Sequence, residues 1–361
     1  MTGRLFGTII GLIVGSSGTK LVRIAISPQK AAASAVTVQL VAQLKVDGEE
    51  IKALVDTQSP NTFFVWKHWY ESLSPGGCQE LLFKCYECNP PPCVQGPITY
   101  LETLDKVEVG IFHQAGKVDF GAVTADGIEF GLVAECDGPP YASLGLAPQQ
   151  YDPFDPFVPL VQQLLAQPEP KRLIESSNFS LYLSAGEGSA GELILGGENK
   201  EKYSGPLTYV QVADPVDRTV VVSSLGIGDV SKHRIPVKEP GSFDSGANIM
   251  MMPEGFKSQV LQLLQTAGKK PVTITEESGL YEISCGDTEN LPPITFFIQG
   301  LKGEDVALEV SPASYVYKST EAICILAITF GDRWILGLPA ITGHYFFYDW
   351  DKARIGFAGV K

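Results

Sequence analysis

The chain is poor in positive charge: 27 Lys and Arg stand against 41 Asp and Glu, a formal net charge of -14. A nucleic-acid partner needs clustered Lys and Arg, and no such cluster occurs, so no nucleic-acid partner is expected. Histidine is scarce as well, and the four present, His68, His113, His233 and His344, are scattered. There is no His-Glu-x-x-His zinc motif, no Gly-x-Ser-x-Gly nucleophile elbow and no Gly-x-x-x-x-Gly-Lys-Ser/Thr phosphate loop, which leaves metalloprotease, hydrolase-elbow and phosphate-loop nucleotide chemistry without support. No metal or organic cofactor is expected. Long apolar runs are also missing, apart from residues 5–15. That run follows Arg4 and precedes Ser16-Ser17-Gly18, the basic, apolar and small-residue parts of a secretory signal, and it is short for a membrane span. Residues 1–18 therefore read as a signal peptide, with no stable membrane insertion after its removal.

What remains is the composition of a folded protein, 44% apolar and 19% charged, with 37 Gly and 25 Pro spread among short apolar runs. Frequent turns and strands follow. Few basic groups also mean little like-charge repulsion when carboxylates are protonated, so an acidic working pH is tolerable. Val36, Val38, Leu40, Ala42 and Leu44 alternate as in a half-buried strand, and Asp47-Gly48 turns the chain into a second strand that ends at Asp56. Further short runs continue past Val118 and Phe130. Helical spacing is confined to residues 159–167 and 253–267, whose apolar stripes face a core. The fold class expected is all-β with minor helices, in two similar lobes flanking a deep cleft.

Two segments carry the chemistry. Ala53-Leu54-Val55-Asp56-Thr57-Gln58-Ser59 and Gly241-Ser242-Phe243-Asp244-Ser245-Gly246-Ala247 each bring an aspartate out of a strand-like run into a hydroxyl-bearing turn. A single such Asp often just caps a turn. Each of these two is followed, at nearly equal offsets, by an apolar-apolar-Gly element, Ser143-Leu144-Gly145 and Ile335-Leu336-Gly337, which implies two lobes of one plan with the cleft between them. Two carboxylates brought together can share one proton and supply an acid and a base at once. The seven cysteines of an exported chain point to disulfides rather than metal. Cys78, Cys85, Cys88 and Cys93 crowd one segment, where two local bridges are favoured over a zinc site; Cys285 and Cys324 could close a loop, and Cys136 is left odd. Asn178-Phe179-Ser180 is a glycosylation sequon entering a strand-like run.

On these residues the chain resembles the pepsin-like aspartic proteases over nearly all its length after the signal. Asp56-Thr57-Gln58-Ser59 is similar to the family's Asp-Thr-Gly-Ser, and Asp244-Ser245-Gly246-Ala247 to its second Asp-Thr/Ser-Gly-Thr/Ser. Ile98-Thr99-Tyr100 resembles the start of the flap, and Trp334-Ile335-Leu336-Gly337 with Tyr348-Asp349 and Arg354-Ile355-Gly356-Phe357-Ala358 resembles the closing strands. The resemblance implies a catalytic pair, Asp56 and Asp244, and a Cys285–Cys324 disulfide. Thr57 and Ser245 would tie the two loops together beside Gly246, and Ser59 would hydrogen-bond the outer oxygen of Asp56. Tyr100 would be the flap residue, with Gln58, Phe63 and Phe112 beside the substrate. It implies a monomer that cuts peptide or protein substrates between apolar residues at acidic pH, secreted or in an acidic endomembrane compartment. The same likeness divides the chain into a short prosegment-like remnant (19–35), an N-terminal lobe (36–203) and a C-terminal lobe (204–361) joined near Tyr203-Ser204-Gly205. With so short a remnant, no conventional zymogen is expected.

The sequence also departs from the family. Gln58 stands for a Gly, Ala247 for a hydroxyl residue, Phe63 for a Trp whose N–H would hold the flap tyrosine, and Leu101 for a flap Gly. Each costs on the order of tenfold in rate if it removes one oriented hydrogen bond. A second reading therefore stands beside the first: a secreted, catalytically weak or inactive homologue that binds peptides or proteins in the same cleft.

Overall fold

A computed structural model describes residues 20–30, 38–102, 107–148, 157–185 and 189–361. The signal-like segment and Val36 lie outside these residues. Strands dominate, as the short apolar runs predict. Val38–Val46 and Glu49–Asp56 form a hairpin, turned by Asp47 at φ 50° and Gly48 at φ 91°, the left-handed pair that matches the twist of two antiparallel strands. The two helical stripes become the helices Leu160–Ala166 and Lys257–Thr266, the latter preceded by a single turn over Glu254–Phe256.

One motif occurs twice. In the first half, Ser143–Gly145 runs parallel to Glu49–Asp56 and meets Phe63–Val65 antiparallel at Phe63, while Phe63–Val65 runs parallel to Thr124–Cys136. In the second half, Trp334–Leu336 runs parallel to Arg234–Phe243 and meets Met250–Pro253 antiparallel at Met251, while Met250–Pro253 runs parallel to Ile328–Gly331. The glycines noted in the sequence end the inserted strands because backbone passes close there. A Cβ on Gly145 would lie 2.5 Å from the Asn61 nitrogen, and one on Gly337 would lie 1.9 Å from the Ile249 oxygen. Any side chain there would push the aspartate loop off its strand.

The two halves share a six-stranded antiparallel sheet, ordered Val22–Lys30, Gly191–Leu195, Phe179–Leu183, His344–Asp349, Arg354–Gly359 and Thr208–Asp214. Three strands come from each half. Phe179, Leu181, Leu193, Phe346, Tyr348 and Ile355 bury its faces, and Phe243, the residue before Asp244, packs its ring 5.0 Å from Phe346. The second aspartate is thereby footed on the sheet that joins the lobes.

The prosegment-like stretch is part of this sheet. Val22–Lys30 pairs with Gly191–Leu195 at one end and with Val38–Val46 at the other. Val22, Ile24 and Ile26 are buried, and the Lys20 ammonium sits 2.7 Å from the Glu169 carboxylate. A strand with this burial is a structural element of the described fold. The sulfurs pair Cys78–Cys85, Cys88–Cys93 and Cys285–Cys324, with Cys136 free, so the crowded cysteines form the two local bridges. The Asn178 amide donates to Asp351 at 3.2 Å. Among the described residues no helix is long and apolar enough to cross a membrane.

If the Val22–Lys30 strand is integral, truncating a side chain at its buried centre costs what a core truncation costs. Ile24→Ala should lower unfolding stability by about 2–5 kcal/mol, measured by urea denaturation. A change within about 0.5 kcal/mol, as at a surface position, would show the strand to be detachable.

Candidate active site

Each aspartate leaves a strand whose end is buried, and its own loop then turns back to hold it. Asp56 Oδ1 accepts the backbone N–H groups of Gln58 and Ser59, both at 2.9 Å. Asp244 Oδ1 accepts those of Gly246 at 2.8 Å and Ala247 at 3.3 Å. These are Asx turns, the local reason Asp suits a strand end of this kind. Donated N–H groups favour the ionised carboxylate.

Four further hydrogen bonds cross between the loops in near two-fold symmetry. Thr57 Oγ1 donates to the Phe243 carbonyl at 3.1 Å, and Ser245 Oγ donates to the Val55 carbonyl at 2.6 Å. Each hydroxyl oxygen also accepts the other residue's backbone N–H, Thr57 N to Ser245 Oγ at 3.2 Å and Ser245 N to Thr57 Oγ1 at 3.1 Å. Thr57 and Ser245 are almost fully buried, so a hydroxyl missing from this set would strand buried polar groups.

The carboxylates border a common point. A Cβ placed on Gly246 would lie 3.1 Å from Asp56 Cγ and 3.2 Å from Asp244 Oδ1, so a side chain there would press on both carboxylates. Burial raises the Asp56 pKa above the usual carboxylate range, opposed by the Gln58 and Ser59 N–H groups and by the Arg218 cation. Asp244 is 3 % exposed. A carboxyl that resists ionisation beside a second carboxyl is the arrangement that holds one proton between two acids.

Arg218 was not among the residues singled out from the sequence. It sits in the turn between Thr208–Asp214 and Thr219–Ile227, and its charge acts on both Asp56 and Asp244. No local signal marks it, because the turn reaches the cleft only through the tertiary fold.

Of the expected site residues, Asp56, Thr57, Gln58, Ser59, Asp244, Ser245 and Gly246 come together. Gln58 does so in a way the sequence did not foretell. Its amide donates to the Phe243 carbonyl at 2.8 Å, the same oxygen that Thr57 uses, so its bulk is taken up by a further bond between the loops. Ser59 meets Asp56 through its backbone N–H, while its hydroxyl accepts from Asn61 N at 3.2 Å; among the described residues that hydroxyl donates no hydrogen bond to the outer carboxylate oxygen. Phe63 is buried with its ring edge-on to Tyr141 at 5.1 Å. Phe112 is fully buried 5.0 Å from the Trp66 ring; it belongs to the core, because its strand turns that face inward, and it forms no pocket wall. Tyr100 is 52% exposed, and its hydroxyl donates to Glu135 at 2.8 Å. Phe63 has no polar atom to offer that hydroxyl, and the neighbouring strand has one. Glu87, Cys88 and Cys93 gather ligand-type atoms, but both sulfurs are committed to their disulfide.

Residues 100–360 match the family model described as eukaryotic aspartyl protease. The chain belongs to that family. The match contains Asp244 and starts after the loop of Asp56, where Gln58 and Phe63 depart from the pattern. Curated aspartyl protease relatives include gastricsin of Rattus norvegicus, 28% identical over 50% of this chain and 45% of its own length. Cathepsin D of Chionodraco hamatus is 27% identical over 66% of this chain and 58% of its own, and cathepsin D of Gallus gallus 28% over 73% and 63%. The chain thus spans about half to three-fifths of the length of the relatives it matches.

Two outcomes follow from the geometry of this site. In a Thr57→Val and Ser245→Ala double-mutant cycle, each single change should destabilise by about 1–3 kcal/mol. The pair should show coupling of at least about 0.5 kcal/mol, because each hydroxyl serves the other's backbone; additive effects would mean the loops are held independently. Asp56 has a raised pKa in the fold, so its contribution to stability is present below its unfolded pKa and lost as pH rises through the folded value. Asp56→Asn keeps an acceptor for Gln58 and Ser59 and should therefore raise Tm at pH 7, with the gain vanishing below pH 4. A gain that grows on acidification would contradict the sign of this shift.

Proposed function

We propose that this protein is an aspartic endopeptidase that hydrolyses peptide bonds between apolar residues at acidic pH, using Asp56 and Asp244 and an activated water. The observation that carries the reading is the pair of carboxylates bordering one point at Gly246. The ionised member takes a proton from a water held between the two as its oxygen attacks the scissile carbonyl. The protonated member gives its proton to the carbonyl oxygen, which forms a neutral tetrahedral diol. The member that took the water's proton then passes it to the amine nitrogen, the C–N bond breaks as a diol hydroxyl returns its proton to the other carboxylate, and the dyad is singly protonated again with no covalent intermediate. The proton belongs to the pair. The extended substrate lies between the lobes, and Val216, exposed on the turn that carries Arg218, offers one apolar contact. A monomer suffices for the whole site, and three disulfides suit a secreted or acidic endomembrane setting.

A second reading, a catalytically weak homologue that binds peptides in the cleft, draws on Ala247, which brings no hydroxyl to Asp244, and on Tyr100 turned to Glu135. Internally quenched peptides with a central apolar pair separate the two. The endopeptidase should cut them best at acid pH, be blocked by pepstatin, and lose about 10²–10⁴-fold in kcat in Asp56→Asn. Peptide binding without turnover in the folded wild type would favour the second reading.

A further inference from the structure

Arg218 is a strong positive charge in a chain short of them, and it is held at the dyad in an unusual way. Its turn is shaped by Asp214, whose Oδ1 accepts from Val216 N at 2.8 Å and Asp217 N at 3.1 Å. Arg218 itself takes a left-handed backbone, φ 56°, a conformation that costs a side-chain-bearing residue and persists where its surroundings over-determine it. The guanidinium donates from Nη1 to the Val216 carbonyl at 3.1 Å, and its Nε is buried without a partner. Its charge acts on Asp56, on Asp244 and on Asp217 in its own turn. Among the described residues, those three carboxylates are the charged groups that act on it.

A singly protonated dyad carries one negative charge, which this cation balances across the cleft. A guanidinium whose Nε has no partner, half-buried where solvent screens it weakly, is suited to a planar, acidic partner. We infer that Arg218 is a specificity-determining residue that selects substrates with an aspartate or glutamate side chain close to the apolar pair that is cut. This rests on the endopeptidase reading for the nature of the substrate. The bond cleaved is still between apolar residues; the acidic side chain is recognised beside it.

The test is a set of quenched peptides with one central apolar pair, in which Gln is exchanged for Glu at one position at a time on either side. The readout is the ratio of kcat/KM for Glu over Gln. At pH 5.5 one position should favour Glu by about tenfold, the scale of one charge-assisted hydrogen bond. At pH 3.5 the ratio should approach one, because a free Glu side chain ionises near about pH 4.3. Arg218→Gln should bring the ratio to one at both pH values. Arg218→Lys, checked by thermal melting, should keep part of it, and Arg218→Glu should turn the preference toward Lys. A wild-type ratio near one at every position, or a ratio unchanged in Arg218→Gln, would overturn the inference.

Binding of the same peptides to Asp56→Asn, followed by fluorescence anisotropy, separates this inference from the reading beneath it. If wild type cuts nothing but Asp56→Asn binds the Glu peptide more tightly, and adding Arg218→Gln abolishes the difference, the endopeptidase reading fails and the acidic recognition stands. Equal binding of Glu and Gln peptides, or binding of none, overturns the recognition itself.

Discussion

Two carboxylates at the floor of one cleft repel when both are charged, so something must hold them together against that repulsion. Here the constraint is the reciprocal bonding of Thr57 and Ser245, in which each hydroxyl donates to a carbonyl of the opposite loop and accepts that loop's N–H. The bonds are buried, so water cannot replace them, and breaking one leaves a donor or acceptor unpaired at a cost of about 1–3 kcal/mol. Gln58 adds a bond across the same junction. A residue that looks like an intrusion on the dyad becomes part of the brace.

The remaining architecture serves that brace. Each aspartate loop lies against a backbone that passes within contact distance at Gly145 or Gly337, and the strands behind them belong to a motif built twice. The six-stranded sheet contributed equally by both halves keeps the two copies in register, with Phe243 seated on it one residue before Asp244. The charge balance around the dyad comes from farther away, from a turn 26 residues before Asp244 in sequence, whose Arg218 lies near both carboxylates only after folding.

The repeated Asp motif, its trailing glycines, the Asp47-Gly48 turn and both helical stripes were legible because each is a local pattern with a local cause. That the crowded cysteines form two local bridges was legible from the compartment expected of an exported chain, while which sulfur pairs with which was not. Three features were not legible. The direction of the Gln58 side chain depends on a carbonyl contributed by the other lobe. Phe112 reads as a cleft residue from its place beside the flap-like strand, yet the strand's alternation puts it in the core against Trp66. Arg218 had no pattern to betray it. Local sequence thus describes how each loop is made, and long-range packing decides what each side chain faces.

The central claim is that Asp56 and Asp244 titrate as one unit. ¹³C NMR of protein labelled at the aspartate carboxyl carbons, with Asp56→Asn and Asp244→Asn used for assignment, measures this directly. A shared proton predicts two well-separated apparent ionisations, each moving both signals, and their replacement by a single step in either variant. Two independent titrations, each untouched by removal of the other aspartate, would contradict the account.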